Sequence, residues 1–239
     1  MTIYIPELPL NNHIFPDTNS ALSDPDGLLA MGGDLNPQRI ISAYRHGVFP
    51  WFSDGQPILW WSPAQRATIK PKLVHISRSM KKIISKNNFY VTVNLAFNDV
   101  IYGCAAPRAD QPETWITDDM LAAYGRLHRQ GVAHSIEVWR GDKLVGGLYG
   151  LCIGGVFCGE SMFSKEDNSS KMAFIALCQH FDRFKGQLVD CQILTKHLHN
   201  FGVQNVSREN FTNNLKQYKN IEIDKKCWDK QTIVIKTGR

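Results

Sequence analysis

Near residue 190 the chain reads Leu188-Val189-Asp190-Cys191-Gln192, an apolar run ending on a carboxylate and an amide two positions apart. Residues two apart on a strand share a face, so Asp190 and Gln192 are expected side by side. A second carboxylate, Glu160, follows Val156-Phe157-Cys158-Gly159, another stretch with the period of two expected of a strand, and should end it. Polar groups in such apolar surroundings must be paired or used. A carboxylate can hold a cation or take a proton, whereas an amide can orient a nucleophile but is too weak a base to deprotonate it. The alternative is structural: Asp190 caps a helix beginning near Thr195, and Glu160 binds backbone. Cys191 should face away from its two polar neighbours, into the core.

The elements that must position these groups are legible around them. Asn168-Ser169-Ser170 supplies a helix N-cap, Ala173, Ile175, Ala176, Leu177, Phe181 and Phe184 recur near helical spacing, and Gly186 should close the helix. Upstream, Ala133–Trp139, a turn at Arg140-Gly141-Asp142-Lys143, Leu144–Leu151 and Gly155–Glu160 read as three antiparallel strands. Gly146-Gly147 marks a bulge or a close approach. Downstream, helices are expected over Thr195–Phe201 and from Ser207, with a brief strand between them. Three antiparallel strands, helix, strand, helix is the order of an acyl-CoA N-acyltransferase-like core, so the fold class expected is α+β, with a small N-terminal α/β domain ahead of that core.

The N-terminal part is turn-rich. Gly32-Gly33-Asp34-Leu35-Asn36-Pro37 is not a phosphate loop, since no Gly-Lys-Ser/Thr follows; it reads as a turn into a helix capped by Asn36, with Pro37 at its first position and its end at Gly47. Five aromatics crowd residues 49–61, and Trp51, beside Pro50 and polar turn residues, is the one expected at a pocket rim. Residues 1–65 are assigned to the N-terminal domain and 66–239 to the catalytic one, with the boundary between 60 and 90. Helices capped by Ser77 and Thr117, a strand over residues 89–93 and a polar loop from Pro107 to Pro112 fill the interval before the three strands.

Of the 239 residues, 43% are hydrophobic and 21% charged, an ordinary globular composition. No apolar run approaches the roughly 20 residues of a membrane helix, and no basic segment precedes an apolar one at the start, so a cytoplasmic protein without a signal peptide is expected. Six scattered cysteines without a CxxC pair, and His134, His197 and His199 without partners at ligand spacing, give no reason to expect a metal or a cofactor. The net charge of +5 is unevenly spread: no acidic residue lies between Asp54 and Asp99, while Arg66, Lys70, Lys72, Arg78, Lys81, Lys82 and Lys86 do. A one-sign block points to a polyanion, with Arg78, Lys81, Lys82 and Lys86 projecting together from one helix.

Several motifs, in order, resemble the leucyl/phenylalanyl-tRNA–protein transferases. They are Gly27-Leu28-Leu29-Ala30-Met31-Gly32-Gly33-Asp34-Leu35, Gly47-Val48-Phe49-Pro50-Trp51, Trp60-Trp61-Ser62-Pro63, Gly159-Glu160-Ser161-Met162-Phe163, Ser170-Lys171-Met172-Ala173 and Asp190-Cys191-Gln192, followed by His197-Leu198 and Phe201-Gly202. The likeness runs from about Phe15 to Tyr218. Asn200, where serine is common, and Val203, where alanine is, depart from the pattern without touching a candidate site.

The resemblance implies that the acyl donor is Leu-tRNA or Phe-tRNA, with methionine a further donor, and that the acceptor is the α-amino group of a protein beginning with Arg or Lys, marked thereby for N-end-rule degradation. Asp190 and Gln192 become the catalytic positions, with Asp190 or a tRNA ribose hydroxyl as the proton route. Glu160 falls near the donor's amino group; Phe157, Met162 and Leu177 become pocket walls, with Trp51 and Trp115 as further substrate-binding residues; and the basic helix becomes a tRNA contact. The turn Lys165-Glu166-Asp167-Asn168, where acyl-CoA enzymes present glycine-rich backbone to a pyrophosphate, is acidic and unsuited to one. A monomer is expected. Three rivals remain: a CoA-dependent enzyme of the same fold, a transferase of opposite polarity acting on acidic N-termini, and an RNA-binding module with no use for a polar site.

Overall fold

The computed structural model describes residues 4–86, 88–107 and 114–237. Two sheets organise it. The smaller contains β1 (Glu7–Leu8), β2 (Leu28–Gly32), β3 (Phe49–Pro50) and β4 (Leu59–Trp61), in the order β1-β2-β4-β3. Helix α1 (Pro37–His46) runs between β2 and β3. Its start and stop are those expected: Asn36 caps Gln38 N–H, Pro37 is the first helical residue, and Gly47 ends the helix in the left-handed region at φ 84°.

The larger sheet has eight strands, in the order β11-β5-β10-β9-β8-β7-β6-β12. They are β5 (Gln65–Ile69), β6 (Tyr90–Val93), β7 (Ala133–Arg140), β8 (Lys143–Ile153), β9 (Val156–Ser164), β10 (Leu188–Asp190), β11 (Gln204–Ser207) and β12 (Gln231–Ile233). Strands β7, β8 and β9 form an antiparallel meander, and after α5 (Ser169–Arg183) the chain returns as β10, parallel to β9. The remaining helices are α2 (Arg78–Ser85), α3 (Phe97–Ala105), α4 (Asp118–Arg129), α6 (Lys196–His199) and α7 (Arg208–Tyr218). This is the acyltransferase-like order expected, with two further strands, β5 inside the sheet and β12 at its edge, that the sequence pattern does not announce.

Strand alternation divides the core into two layers. Val156, Cys158, Tyr149 and Leu151 join α1, α3, α4 and the small sheet through Tyr44, Trp60, Phe97 and Tyr124. Phe157, Leu148 and Val189 face the other way, onto α5 and α2 through Phe181, Leu177 and Met80. One apolar cluster therefore runs without a break from the small sheet into the large one.

Several local expectations are corrected. Strand β9 does not end at Glu160 but continues to Ser164, because β8 pairs with it that far. Helix α5 ends with Lys185 in the left-handed region at φ 64°, and Gly186 follows; a Cβ on Gly186 would lie 2.2 Å from the Phe181 ring, which explains the glycine. Asn168 makes no capping bond, its own φ being 69°; its Oδ1 accepts from Lys171 Nζ instead. The helix expected over Thr195–Phe201 is shorter, and Thr195, not Asp190, caps it. Gly146 is a close approach, with room for nothing between it and Ser169. The polar loop expected from Pro107 to Pro112 lies, from residue 108 on, outside the described residues.

Candidate active site

The site begins where the sheet opens. Strands β9 and β10 pair in parallel through Leu188–Val156, Val189–Phe157 and Asp190–Cys158. There β10 stops, while β9 runs six residues further, to Ser164. A cavity of about 950 Å³ occupies the gap, with walls from both layers of the core: Tyr149 and Phe163 from one, Met162, Phe174 and Leu177 from the other. Trp51, Trp115, Glu160, Cys191, Gln192 and His197 also line it.

Glu160 is aimed by a bulge. Tyr149 pairs with Ser161 and Gly150 with Gly159, so Glu160 is the extra residue on β9. Its carboxylate accepts from Tyr44 Oη at 2.6 Å and Tyr124 Oη at 2.9 Å, and the two hydroxyls lie 2.9 Å apart. Gln192 Nε2 donates to Glu160 Oε1 at 3.4 Å. No ion pair reaches this carboxylate among the described residues. Burial pushes its pKa up to about 7, against the two tyrosine hydroxyls that favour the anion.

Asp190 has a different environment. It is fully buried and absent from the cavity wall. Arg66 Nε and Nη2 reach its two oxygens at 2.8 and 2.7 Å, and Gln192 N–H donates to Oδ1 at 3.0 Å. The guanidinium also donates to Gly47 O and lies between the rings of Phe49 and Phe211, 4.7 and 4.5 Å from their centroids. A carboxylate held bidentate inside the protein, and away from the cavity wall, is turned to its guanidinium and not to substrate. Its effect on the cavity runs through Gln192, whose backbone is left-handed at φ 54° and whose carbonyl accepts from Ala67 N–H. The two residues do not stand side by side as alternate members of one strand: the strand ends at Asp190, and its side chain fastens the turn that presents Gln192.

The other expected residues divide. Met162, Leu177, Trp115 and Trp51 line the cavity. Trp51 is 44% exposed and its ring is 5.8 Å from that of Trp61, a rim position. Phe157 is not on its wall: it packs in the layer of Met162, Phe174 and Leu177, but deeper, against Phe181 and Trp228. Cys191, expected in the core, is half-buried on the cavity wall, and burial pushes its thiol up. Arg66, counted in the basic surface, is buried and bound to Asp190. On α2, Arg78, Lys82 and Lys86 are exposed at spacings of four while Lys81 is half-buried, and none of the four has an ion pair among the described residues. Tyr44, Tyr124 and Tyr149 are not marked as site residues by the sequence.

A carboxylate and an amide on the wall of a mainly apolar cavity, in an acyltransferase-like core, are the setting of an acyl-transfer site. The chain belongs to the leucyl/phenylalanyl-tRNA–protein transferases: the model of that family matches residues 68–216 and the model of its N-terminal domain residues 33–64. It is 79% identical to the leucyl/phenylalanyl-tRNA–protein transferase of Psychromonas ingrahamii, over 99% of both chains. It is 53% identical to that of Pectobacterium carotovorum, over 90% of this chain and 91% of the relative. Among solved structures it is similar to L-PGS from Bacillus licheniformis, at 10% identity and a TM-score of 0.41 over 78% of this chain and 64% of that one. It is thus an enzyme, an aminoacyltransferase. No described helix is long and apolar enough to cross a membrane.

Proposed function

We propose that the cavity holds the aminoacyl end of Leu-tRNA or Phe-tRNA and that the acyl group passes to the α-amino group of a protein beginning with Arg or Lys, marking it for N-end-rule degradation. The observation that carries this reading is Glu160, a half-buried carboxylate without an ion pair among the described residues, on the wall of a mainly apolar cavity. Such a group is suited to the donor's α-ammonium, and the walls of Met162, Leu177 and Trp115 to its side chain. The exposed cations of α2 supply a salt-dependent hold on the tRNA backbone.

The reaction is aminolysis of an ester. An α-amino group titrates near 7.7–8.0, so an appreciable minority of it is already a nucleophile at neutral pH, and alignment matters more than activation. Gln192 accepts a hydrogen bond from the attacking amine. The new C–N bond forms, the bond to the ribose 3′ oxygen breaks, and the proton lost by the amine ends on that oxygen. The sealing of Asp190 behind Arg66 favours a ribose hydroxyl as the carrier and makes Asp190 a positioning residue. A cytoplasmic monomer, divided near residue 65 between the small sheet and β5, belongs to the same proposal.

Labelled Leu-tRNA, incubated with peptides beginning Arg, Lys, Asp or Ala, tests it. Transfer to the first two is expected. Transfer to the Asp peptide alone would assign the opposite polarity, and no transfer to any would remove the reading.

A further inference from the structure

Two polar atoms of cavity-lining residues have no hydrogen-bond partner among the described residues, Tyr149 Oη and His197 Nε2. His197 is half-buried, but Tyr149 is completely buried. A buried hydroxyl without a partner costs stability that a phenylalanine would not. Nor can this one swing to find a partner. Its ring is held edge-on by Tyr124, at 5.6 Å and 86°, and by Phe97, at 6.0 Å and 81°. Strand β8 sets Tyr149 opposite Ser161, beside the bulge that aims Glu160.

The chemistry of the hydroxyl follows from its neighbours. Burial and then the negative charge of Glu160 keep the phenol protonated, well above its ordinary range. Glu160 itself is already approached by Tyr44, Tyr124 and the Gln192 amide. The field of a carboxylate turns a nearby O–H dipole toward it, leaving the oxygen lone pairs directed elsewhere, so the group is an acceptor in search of a donor. A primary ammonium brings three N–H donors, more than one carboxylate uses.

We propose that Tyr149 Oη accepts a hydrogen bond from the α-ammonium of the donor aminoacyl group, next to Glu160. Tyr149 is then a specificity-determining residue that favours an unblocked amine, because an N-acylated donor has one N–H and no charge. This rests on the reading that the aminoacyl group occupies the cavity.

The test uses Tyr149→Phe, which removes one oxygen, and two stable inhibitors of Leu-tRNA transfer. One is the 3′-leucylamide of 3′-amino-3′-deoxyadenosine; the other is its 4-methylpentanoyl counterpart, with the same side chain and no amino group. The variant should raise the inhibition constant of the leucyl compound about tenfold, the scale of one charge-assisted hydrogen bond, and leave the other within about twofold. The thermal midpoint should stay level or rise. Equal weakening of both compounds would show that the hydroxyl shapes the wall or meets the carbonyl, and no weakening of the leucyl compound would show that it meets nothing; either overturns the proposal alone. If the leucyl compound fails to compete with Leu-tRNA on the wild-type protein, the cavity is not the donor site and both readings fall.

Discussion

Glu160 and Asp190 lie on neighbouring strands of one sheet and are bridged by Gln192, yet they occupy opposite electrostatic situations. Asp190 has a guanidinium on both oxygens and no access to the cavity. Glu160 has two phenols and an amide, no ion pair among the described residues, and a place on the cavity wall. A carboxylate with a full counter-charge is already satisfied, whereas one met only by neutral donors is left able to take a cation. The first suits a scaffold, the second a group whose missing cation arrives with the substrate. Residue type alone does not distinguish them; the supply of positive charge does.

The comparison breaks most severely at Arg66. Arg66→Ala leaves Asp190 buried and unpaired, which should cost about 3–5 kcal/mol in urea unfolding. Asp190→Asn should cost less stability but still slow single-turnover transfer at saturating aminoacyl-tRNA, since the turn at Gln192 loses its anchor. Glu160→Gln, by contrast, should leave stability near wild type. If Arg66→Ala unfolds no more easily than Glu160→Gln, the two carboxylates are not different in kind.

Next in size is the bridge. Gln192→Ala removes one orienting hydrogen bond and should slow transfer about tenfold to a hundredfold without weakening tRNA binding. Gln192→Glu preserves an acceptor, but it sets a second carboxylate against Glu160 and should push the Glu160 pKa above 7. Its donor binding should therefore weaken at neutral pH and recover as pH rises, a pattern absent from Gln192→Ala. A pH-independent defect in both would detach Gln192 from Glu160.

If Glu160 meets the donor's ammonium, the acid limb of donor binding should belong to it. With its pKa raised to about 7 from an ordinary value of 4.5, the folded protein binds a proton there that the unfolded chain does not hold between those values. Its contribution to stability is thus greatest at low pH and declines as pH rises from about 4.5 to 7. Donor affinity runs the other way, since the ammonium needs the anion: it should fall about tenfold per unit below pH 7 and also decline above the amine's own pKa, near 7.7–8.0. Glu160→Gln should abolish the acid limb. A limb that survives the substitution must be assigned to another group.

How much of this was legible beforehand follows from what each residue answers to. The strand–helix–strand run around α5 and the capping of α1 depend on local spacing, and both could be read from the chain. Asp190, Gln192 and Glu160 could be singled out as polar residues in apolar strands. The length of β9 could not, because pairing with β8 sets it. The roles of Arg66, Tyr44 and Tyr124 depend on contacts across 124, 116 and 36 positions, and nothing local separates a tyrosine that packs from one that also binds a carboxylate. Whether Phe157 reaches the cavity wall or packs behind Phe174 and Leu177 depends on depth within one layer, and apolar character looks the same at both depths.

The smallest expected effect sharpens the comparison most. Tyr44→Phe removes the 2.6 Å hydrogen bond to Glu160 Oε1 and little else of its packing, although Tyr124 also loses its hydroxyl neighbour. A donor lost from a carboxylate disfavours the anion, so the pKa should rise from about 7 and the acid limb of donor affinity should move toward higher pH. One hydrogen bond to a charged group on the scale of about 1.5 kcal/mol corresponds to about one pH unit. The consequence at pH 7 is a several-fold weaker donor, rescued at pH 8 as far as the amine's own titration allows. The same change should leave the Arg66–Asp190 pair, and hence transfer at saturating donor, untouched. If Tyr44→Phe slows saturated transfer without moving the limb, the two tyrosines serve the scaffold, and Glu160 is a structural carboxylate like Asp190.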